Sequence, residues 1–242
     1  MHAIQTHGLT KRYGSLTALE PLDLTVAPGE LFALLGVNGA GKTTTVKLLT
    51  GLTKPTAGDA VLGGFSICRQ PEQVKTIIGV SPQETAVAPN LTVRENLELI
   101  CGIHGFSRNK TAAKLGELTG QFGLESVLSR KAGKLSGGWQ RRLSIAMALI
   151  MEPKILFLDE PTLGLDVLAR RELWDLIRGL KGRVTVILTT HYIEEAEALS
   201  DRIGILKNGR LLAVGTADAL KARTGAGNFE SAFVTIVKEG NL

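Results

Sequence analysis

The sequence predicts an α/β fold, a mostly parallel sheet whose core is interrupted by an inserted block of helices. Three observations carry that expectation. Leu31–Leu35 (LFALL), Ile155–Leu158 (ILFL) and Val184–Leu188 (VTVIL) are short apolar runs without polar alternation, the pattern of strands buried on both faces. Helical patterns separate these runs, as crossovers between parallel strands require. From roughly Thr92 to Met151 the pattern is helical throughout, so this block interrupts the sheet.

Taken in order, Leu31–Leu35 leads into a glycine-rich turn and then a helix through about Leu52. Thr92-Val-Arg-Glu95 has the form of a capping box and starts a helix through LELICGI. The segment from Ser136 to Met151 is a second helix of the inserted block. Near the end, Arg202–Leu206 and Arg210–Val214 flank Asn208-Gly209, a strong hairpin signal. The residues after Arg223 carry one short apolar stretch that assigns no element, and no internal repeat is visible.

With 242 residues and 25.8 kDa, the chain forms one large domain or two small ones, long enough for a core without disulfides. At 44% hydrophobic and 21% charged, its composition excludes a wholly disordered chain. The longest strictly apolar run, Ile145–Met151, falls far short of the ~18–20 residues of a membrane helix. The first residues lack an apolar signal core, so a cytosolic chain is expected. Cys68 and Cys101 have no CxxC spacing and read as reduced thiols. The net charge of +5 suits phosphate groups or an anionic membrane surface equally. Scattered basic residues and 5% aromatics give base stacking little support, so no nucleic acid is expected as a partner.

The first chemical signal is Gly36-Val-Asn38-Gly39-Ala-Gly41-Lys42-Thr43-Thr44, which satisfies G-x-x-x-x-G-K-[ST]. Glycines let the backbone curl until several N–H groups converge, and the following helix N-terminus closes this anion nest. Lys42 adds charge for β- and γ-phosphates, and Thr43 offers a hydroxyl to Mg²⁺. The second signal is Asp159-Glu160 at the carboxyl end of Ile155–Leu158, where open α/β sheets bind ligands. Asp159 suits the Mg²⁺ shell and Glu160 the polarising of an attacking water. Alone this pair could be a solvated strand end; beside a phosphate loop it is a site. The third is Leu135-Ser136-Gly137-Gly138-Trp139-Gln140-Arg141, an N-cap and turn that also makes a second anion site.

Two phosphate-binding turns and one acidic pair, in this order, resemble the nucleotide-binding subunit of an ATP-binding cassette (ABC) transporter, over residues 4 to about 223. The resemblance implies a P-loop NTPase core with a mostly parallel sheet, an N-terminal antiparallel β region and an inserted α-helical subdomain. It implies one domain over 1–242, with the core at 1–86 and 152–225, the helical subdomain at 87–151 and a tail at 226–242. Gly36–Thr44 matches the family's Walker A loop and Ile155–Glu160 its Walker B strand with the catalytic Glu. Gln83, in Val80-Ser-Pro-Gln83, matches the glutamine that contacts Mg²⁺ and water and senses the membrane partner. Ser136–Gln140 matches the signature motif, Asp166 the D-loop, His191 the switch histidine at the γ-phosphate, and Tyr13 the aromatic that stacks on adenine. ATP and Mg²⁺ are the implied ligands, the ion falling to Thr43, Gln83 and Asp159. Trp139 departs from the usual polar or small residue. The Arg141-Arg142 and Arg170-Arg171 pairs are expected on solvated faces or in ion pairs.

In such a family two cassettes, as a homodimer or pseudo-dimer, close head-to-tail on ATP, and a separate transmembrane permease subunit holds them at the cytoplasmic face of the membrane. The stretch Thr190–Arg202, the hairpin and Gly215–Leu220 are similar to the exporter-type branch. Residues 84–110 are where the family docks its membrane subunit. The alternative, a soluble cassette ATPase of translation or DNA maintenance, is disfavoured by a single cassette without a metal-ligand cluster or long heptad run. Intact Glu160 and His191 argue against a module that binds without hydrolysing.

Overall fold

The computed structural model describes residues 2–240. An antiparallel sheet opens the chain: β1 (Ile4–Tyr13) pairs with β2 (Leu16–Leu22), β3 (Thr25–Val26) and β5 (Ala57–Leu62), and β6 (Phe65–Ser66) extends β5. In the second sheet β4 (Leu31–Leu35), β7 (Ile78–Ser81), β8 (Ile155–Asp159), β9 (Thr185–Thr190) and β10 (Arg202–Lys207) run parallel. β11 (Arg210–Gly215) closes the edge antiparallel to β10, in the order β11-β10-β4-β9-β8-β7. Asn208 and Gly209 turn that hairpin with φ of 49° and 78°, the left-handed pair that a two-residue turn demands.

The three apolar runs are buried on both faces. Leu31, Ala33, Leu35, Leu156, Leu158, Val186 and Leu188 join one core with the helical block. Phe32, Leu34, Ile155, Phe157 and Ile187 join the other, against α1 (Lys42–Leu49) and the antiparallel sheet. Two faces in apolar surroundings explain why these strands do not alternate. β9 runs past Leu188 to Thr190 because the Thr189 and Thr190 hydroxyls find partners although both residues are fully buried. α1 ends before Leu52, as Thr50 Oγ1 turns back to Val46 O at 2.8 Å and Gly51 takes a φ of 72°.

Beyond α2 (Pro71–Ile77), the inserted block holds α3 (Val93–Ile103), α4 (Arg108–Phe122), two short 3-10 turns and α5 (Gly137–Leu149). The capping box forms: Glu95 N donates to Thr92 Oγ1 at 3.2 Å and Thr92 N to Glu95 Oε2 at 2.7 Å. Leu97, Phe122 and Leu143 fill its centre. α6 (Val167–Arg178), α7 (Ile193–Leu199) and α8 (Ala217–Thr224) follow in the α/β part. The stretch the sequence leaves unassigned after Arg223 becomes α9 (Phe229–Glu239), capped by Asn228. Phe229, Ala232 and Ile236 lie on one helical face and are buried, in a helix that packs against α7, α8 and the β10–β11 hairpin.

Register now positions the site. Leu35 pairs with Thr190 and Asp159 with Thr189, so the ends of β4, β8 and β9 deliver the phosphate loop, the acidic pair and His191 to one sheet edge.

Candidate nucleotide site

At that edge lies a cleft of about 630 Å³, lined by Leu16, Thr17 and Ala18 of β2, the loop from Asn38 to Thr44, Gln83, Glu160, Leu163, His191 and the hairpin tip Asn208-Gly209. The loop is built by close approach as much as by backbone freedom. A Cβ on Gly36 would stand 2.3 Å from Leu206 O, and one on Gly41, at φ 105°, 2.8 Å from Ala18 O.

Lys42 and Glu160 are both buried, and Lys42 Nζ stands 3.1 Å from Glu160 Oε1. The same ammonium donates to Gly36 O at 2.7 Å and Val37 O at 3.3 Å. The other carboxylate oxygen of Glu160 lies 2.7 Å from His191 Nδ1. Glu160 itself sits at φ 49°, a strained left-handed conformation for a side chain with a Cβ, held by its N–H bonded to Thr189 Oγ1 at 3.0 Å. Thr189 Oγ1 donates in turn to Asp159 Oδ1, which also accepts from Thr43 Oγ1 at 3.3 Å. Thr189 thereby spaces the two acids.

The cleft brings together Asn38, Gly39, Gly41, Lys42, Thr43, Thr44, Gln83, Glu160 and His191, with Asp159 and Gly36 beneath. Four expected groups stand outside it. Tyr13 is 48% exposed at the end of β1, its ring 4.8 Å from Lys11 Nζ, while Leu16 to Ala18 form the wall. Ser136 is exposed at the N-cap of α5 with its hydroxyl making no cap bond, followed by exposed Gly137 and half-buried Gly138. Gln140 is engaged internally, donating to Leu135 O at 3.2 Å and accepting from Thr85 Oγ1 at 3.4 Å. Asp166 caps α6 by accepting from Ala169 N at 2.9 Å.

The arginine expectation needs correction. Arg141 is 4% exposed and clamps the Gln83 loop, donating to Pro82 O at 2.6 Å and Gln83 O at 2.7 Å. A long side chain reaching those two carbonyls is an anchor for Gln83 rather than a solvated charge. Arg142 does pair with Glu172 and covers Trp139 at 4.7 Å. Arg170 makes no ion pair among the described residues and instead lies 4.5 Å over the Tyr192 ring.

Sequence reasoning also missed Thr189, the β2 wall and Glu195. Glu195 of α7 is wholly buried, with Oε1 accepting from Thr162 Oγ1 at 2.7 Å and Trp174 Nε1 at 3.0 Å. Burial pushes its carboxyl above the ordinary range, against the pull of those hydrogen bonds. Only the hairpin tip carried a signal, since Asn-Gly announced the turn but not its place in the cleft.

A phosphate loop, a strand-end acid pair and a histidine around one cleft define a nucleotide-hydrolysing α/β protein. The ABC transporter family model matches residues 19–163. The chain is 46% identical over 224 residues, 92% of its length, to the daunorubicin resistance ATP-binding protein DrrA3 of Streptomyces coeruleorubidus, spanning 71% of that protein. It is 42% identical to the doxorubicin resistance ATP-binding protein DrrA of Mycobacterium tuberculosis, covering 92% of this chain and 68% of the relative. A solved ATP-binding subunit of an ABC transporter superposes with a TM-score of 0.86 at 31% identity, over 97% of this chain and 99% of the other. A dimeric ATP-binding cassette in a post-hydrolysis state with ADP and Pi superposes at 0.78 with 28% identity, over 88% and 98%. The chain belongs to the ABC transporter family. It is the ATP-binding, ATP-hydrolysing motor subunit of an exporter-type system. Among the described residues no helix is long and apolar enough to cross a membrane.

Proposed function

We propose that ATP fills the cleft with its phosphates on the Gly36–Thr44 loop and that Glu160 activates the attacking water. The observation that carries this is the chain Lys42–Glu160–His191, two buried residues and a half-buried histidine, which joins a phosphate-binding cation, a base and a histidine within 3.1 Å and 2.7 Å contacts. Phosphate oxygens compete for the Lys42 ammonium, so nucleotide draws that charge away from Glu160 and frees one carboxylate oxygen for water. His191 keeps hold of the other and reaches the γ-phosphate. Backbone N–H groups of the loop and Lys42 then meet the charge developing on the phosphoryl oxygens.

The neighbouring hydroxyl of Thr43 and carboxylate of Asp159 are hard oxygen donors that fit Mg²⁺ and would hold it. Held there, the ion would supply charge neutralisation to the phosphates. Gln83 lines the cleft with its backbone carbonyl held by Arg141, and its side chain would be a further oxygen donor to that ion. Tyr13 provides the adenine platform beside Leu16.

The outward-facing Ser136–Gly138 turn, with Gln140 behind it and Asp166 nearby, completes the site of a second cassette, so two copies or near-copies close on ATP; the dimeric neighbour supports this. The chain acts as one domain of core 1–86 and 152–225, helical subdomain 87–151 and tail 226–242. Exposed Leu99 and Ile103 on α3 support docking of a separate permease around residues 84–110, which holds the motor peripherally at the cytoplasmic face of the membrane. Relatives named for daunorubicin and doxorubicin resistance support export of a small toxic molecule.

The test is Glu160→Gln. General-base action is worth ~10²–10⁴ in rate, so turnover falls by that order while ATP binding persists and an ATP-loaded dimer accumulates on size exclusion. Hydrolysis at the parent rate would remove Glu160 from the role.

A further inference from the structure

Tyr192 follows His191, and the reading above gives it no task. Its half-buried ring stacks on the His191 imidazole, centroids 4.1 Å apart and tilted by 39°. The Arg170 guanidinium covers the same ring at 4.5 Å. Arg170 Nε is buried and has no hydrogen-bond partner among the described residues, so the ring contact, not a polar bond, fixes this cation. The backbone of Tyr192 is fixed as well: its N–H donates to Thr190 Oγ1 at 3.0 Å, and its carbonyl accepts from Ala196 N at 3.2 Å where α7 begins. The ring therefore meets His191 from a backbone hydrogen-bonded at both its N–H and its carbonyl, while His191 holds Glu160 on its Nδ1 side.

The other end of the stack is the first turn of α6. Arg170 is next to Ala169, whose Cβ would lie 3.2 Å from a Cβ on Gly138. A Cβ on Gly137 would lie 3.4 Å from Leu165, just before that helix. The missing side chains of Gly137 and Gly138 thus let the outward-facing turn rest on the same turn of α6 that sends Arg170 onto Tyr192.

We propose that Tyr192 is a positioning residue for hydrolysis: clamped by Arg170, it holds the His191 imidazole against Glu160 and links its position to the α6 turn under Gly138. The inference rests on the role assigned to His191 above. A flat aromatic at 192 is what the stack requires; the phenolic hydroxyl is not.

Steady-state ATPase kinetics on the full chain with MgATP test it. Misplacing a reacting group costs rate rather than binding, so Tyr192→Ala lowers kcat roughly tenfold or more and leaves KM within about twofold. Tyr192→Phe and Tyr192→Trp restore the parent rate, and Arg170→Ala, on the other side of the ring, reproduces part of the loss. In a His191→Ala background Tyr192→Ala costs nothing further, because groups acting as one unit are not additive. A parent-like kcat for Tyr192→Ala, a Phe variant as slow as the Ala variant, or a full additional loss in the His191→Ala background would each overturn the inference. Should Tyr192→Ala fail to fold by thermal melting, Arg170→Ala alone decides: a parent-like kcat overturns the clamp. His191→Ala turning over at the parent rate would overturn the His191 role and this inference together, whereas a slow His191→Ala beside a normal Tyr192→Ala removes the inference alone.

Discussion

Two glycine-rich turns in this chain precede helix N-termini, and they end in opposite circumstances. The Gly36–Thr44 turn is enclosed: Lys42 is 5% exposed, its charge is matched by Glu160, and β2, the residues just after β8 and β9, and the hairpin tip wall the cleft. The Ser136–Gly138 turn is open: Ser136 and Gly137 are exposed, the Ser136 hydroxyl makes no cap bond, and Gly138 is half-buried against Ala169 of α6. The same local chemistry gives an enclosed cleft in one place and an open turn in the other. What separates them is only what the fold sets opposite each turn.

The largest expected effect probes the open turn. Ser136→Arg puts a bulky cation where a second nucleotide would meet the turn, so turnover is lost while the monomer binds ATP with parent affinity by calorimetry. Full activity in that variant would break the contrast, leaving the enclosed cleft sufficient by itself.

An intermediate effect concerns the core beneath both regions, where Glu195 of α7 accepts from Thr162 after β8 and from Trp174 of α6. Its carboxyl is raised by burial, so its stabilising contribution is complete below the unfolded pKa and is lost as pH climbs through the folded one. Glu195→Gln keeps a neutral, acceptor-bearing group at every pH. Its Tm relative to the parent therefore rises with pH above the ordinary carboxylate range, and a difference that stays constant across pH would assign the titration elsewhere.

The smallest is a control in the helical block. Thr92→Ala removes the N-cap acceptor of Glu95 N and costs about 1 kcal/mol of stability, seen as a lower denaturant midpoint. ATP affinity at the cleft stays unchanged; a parallel loss of affinity would mean that the helical block and the cleft are not separable.

Much of this was readable in the chain itself. The phosphate loop, Asp159-Glu160, the capping box at Thr92 and the Asn208-Gly209 hairpin are local, because each depends on residue types within a few positions of one another. Their physical demands, φ above zero, an N-cap acceptor or a nest of N–H groups, are met within the segment. Helix α9 was not legible because its apolar stretch is short and gains its meaning from the α7–α8–hairpin surface it covers. Arg141 differs from the expected solvated or ion-paired arginine for the same reason: nothing nearby in sequence says that the Pro82 and Gln83 carbonyls, 59 and 58 positions away, will stand before it.

The sequence by itself determined the chemistry: a cation, hydroxyl and carboxylates suited to a nucleotide triphosphate, and a second turn able to hold phosphate. Only the tertiary structure decided which of these groups meet. Parallel register between β4, β8 and β9 brings Lys42, Glu160 and His191 into contact across more than a hundred residues and leaves Ser136 facing outward. Contact between distant segments follows from packing two apolar faces of one sheet, a condition no short stretch of sequence contains.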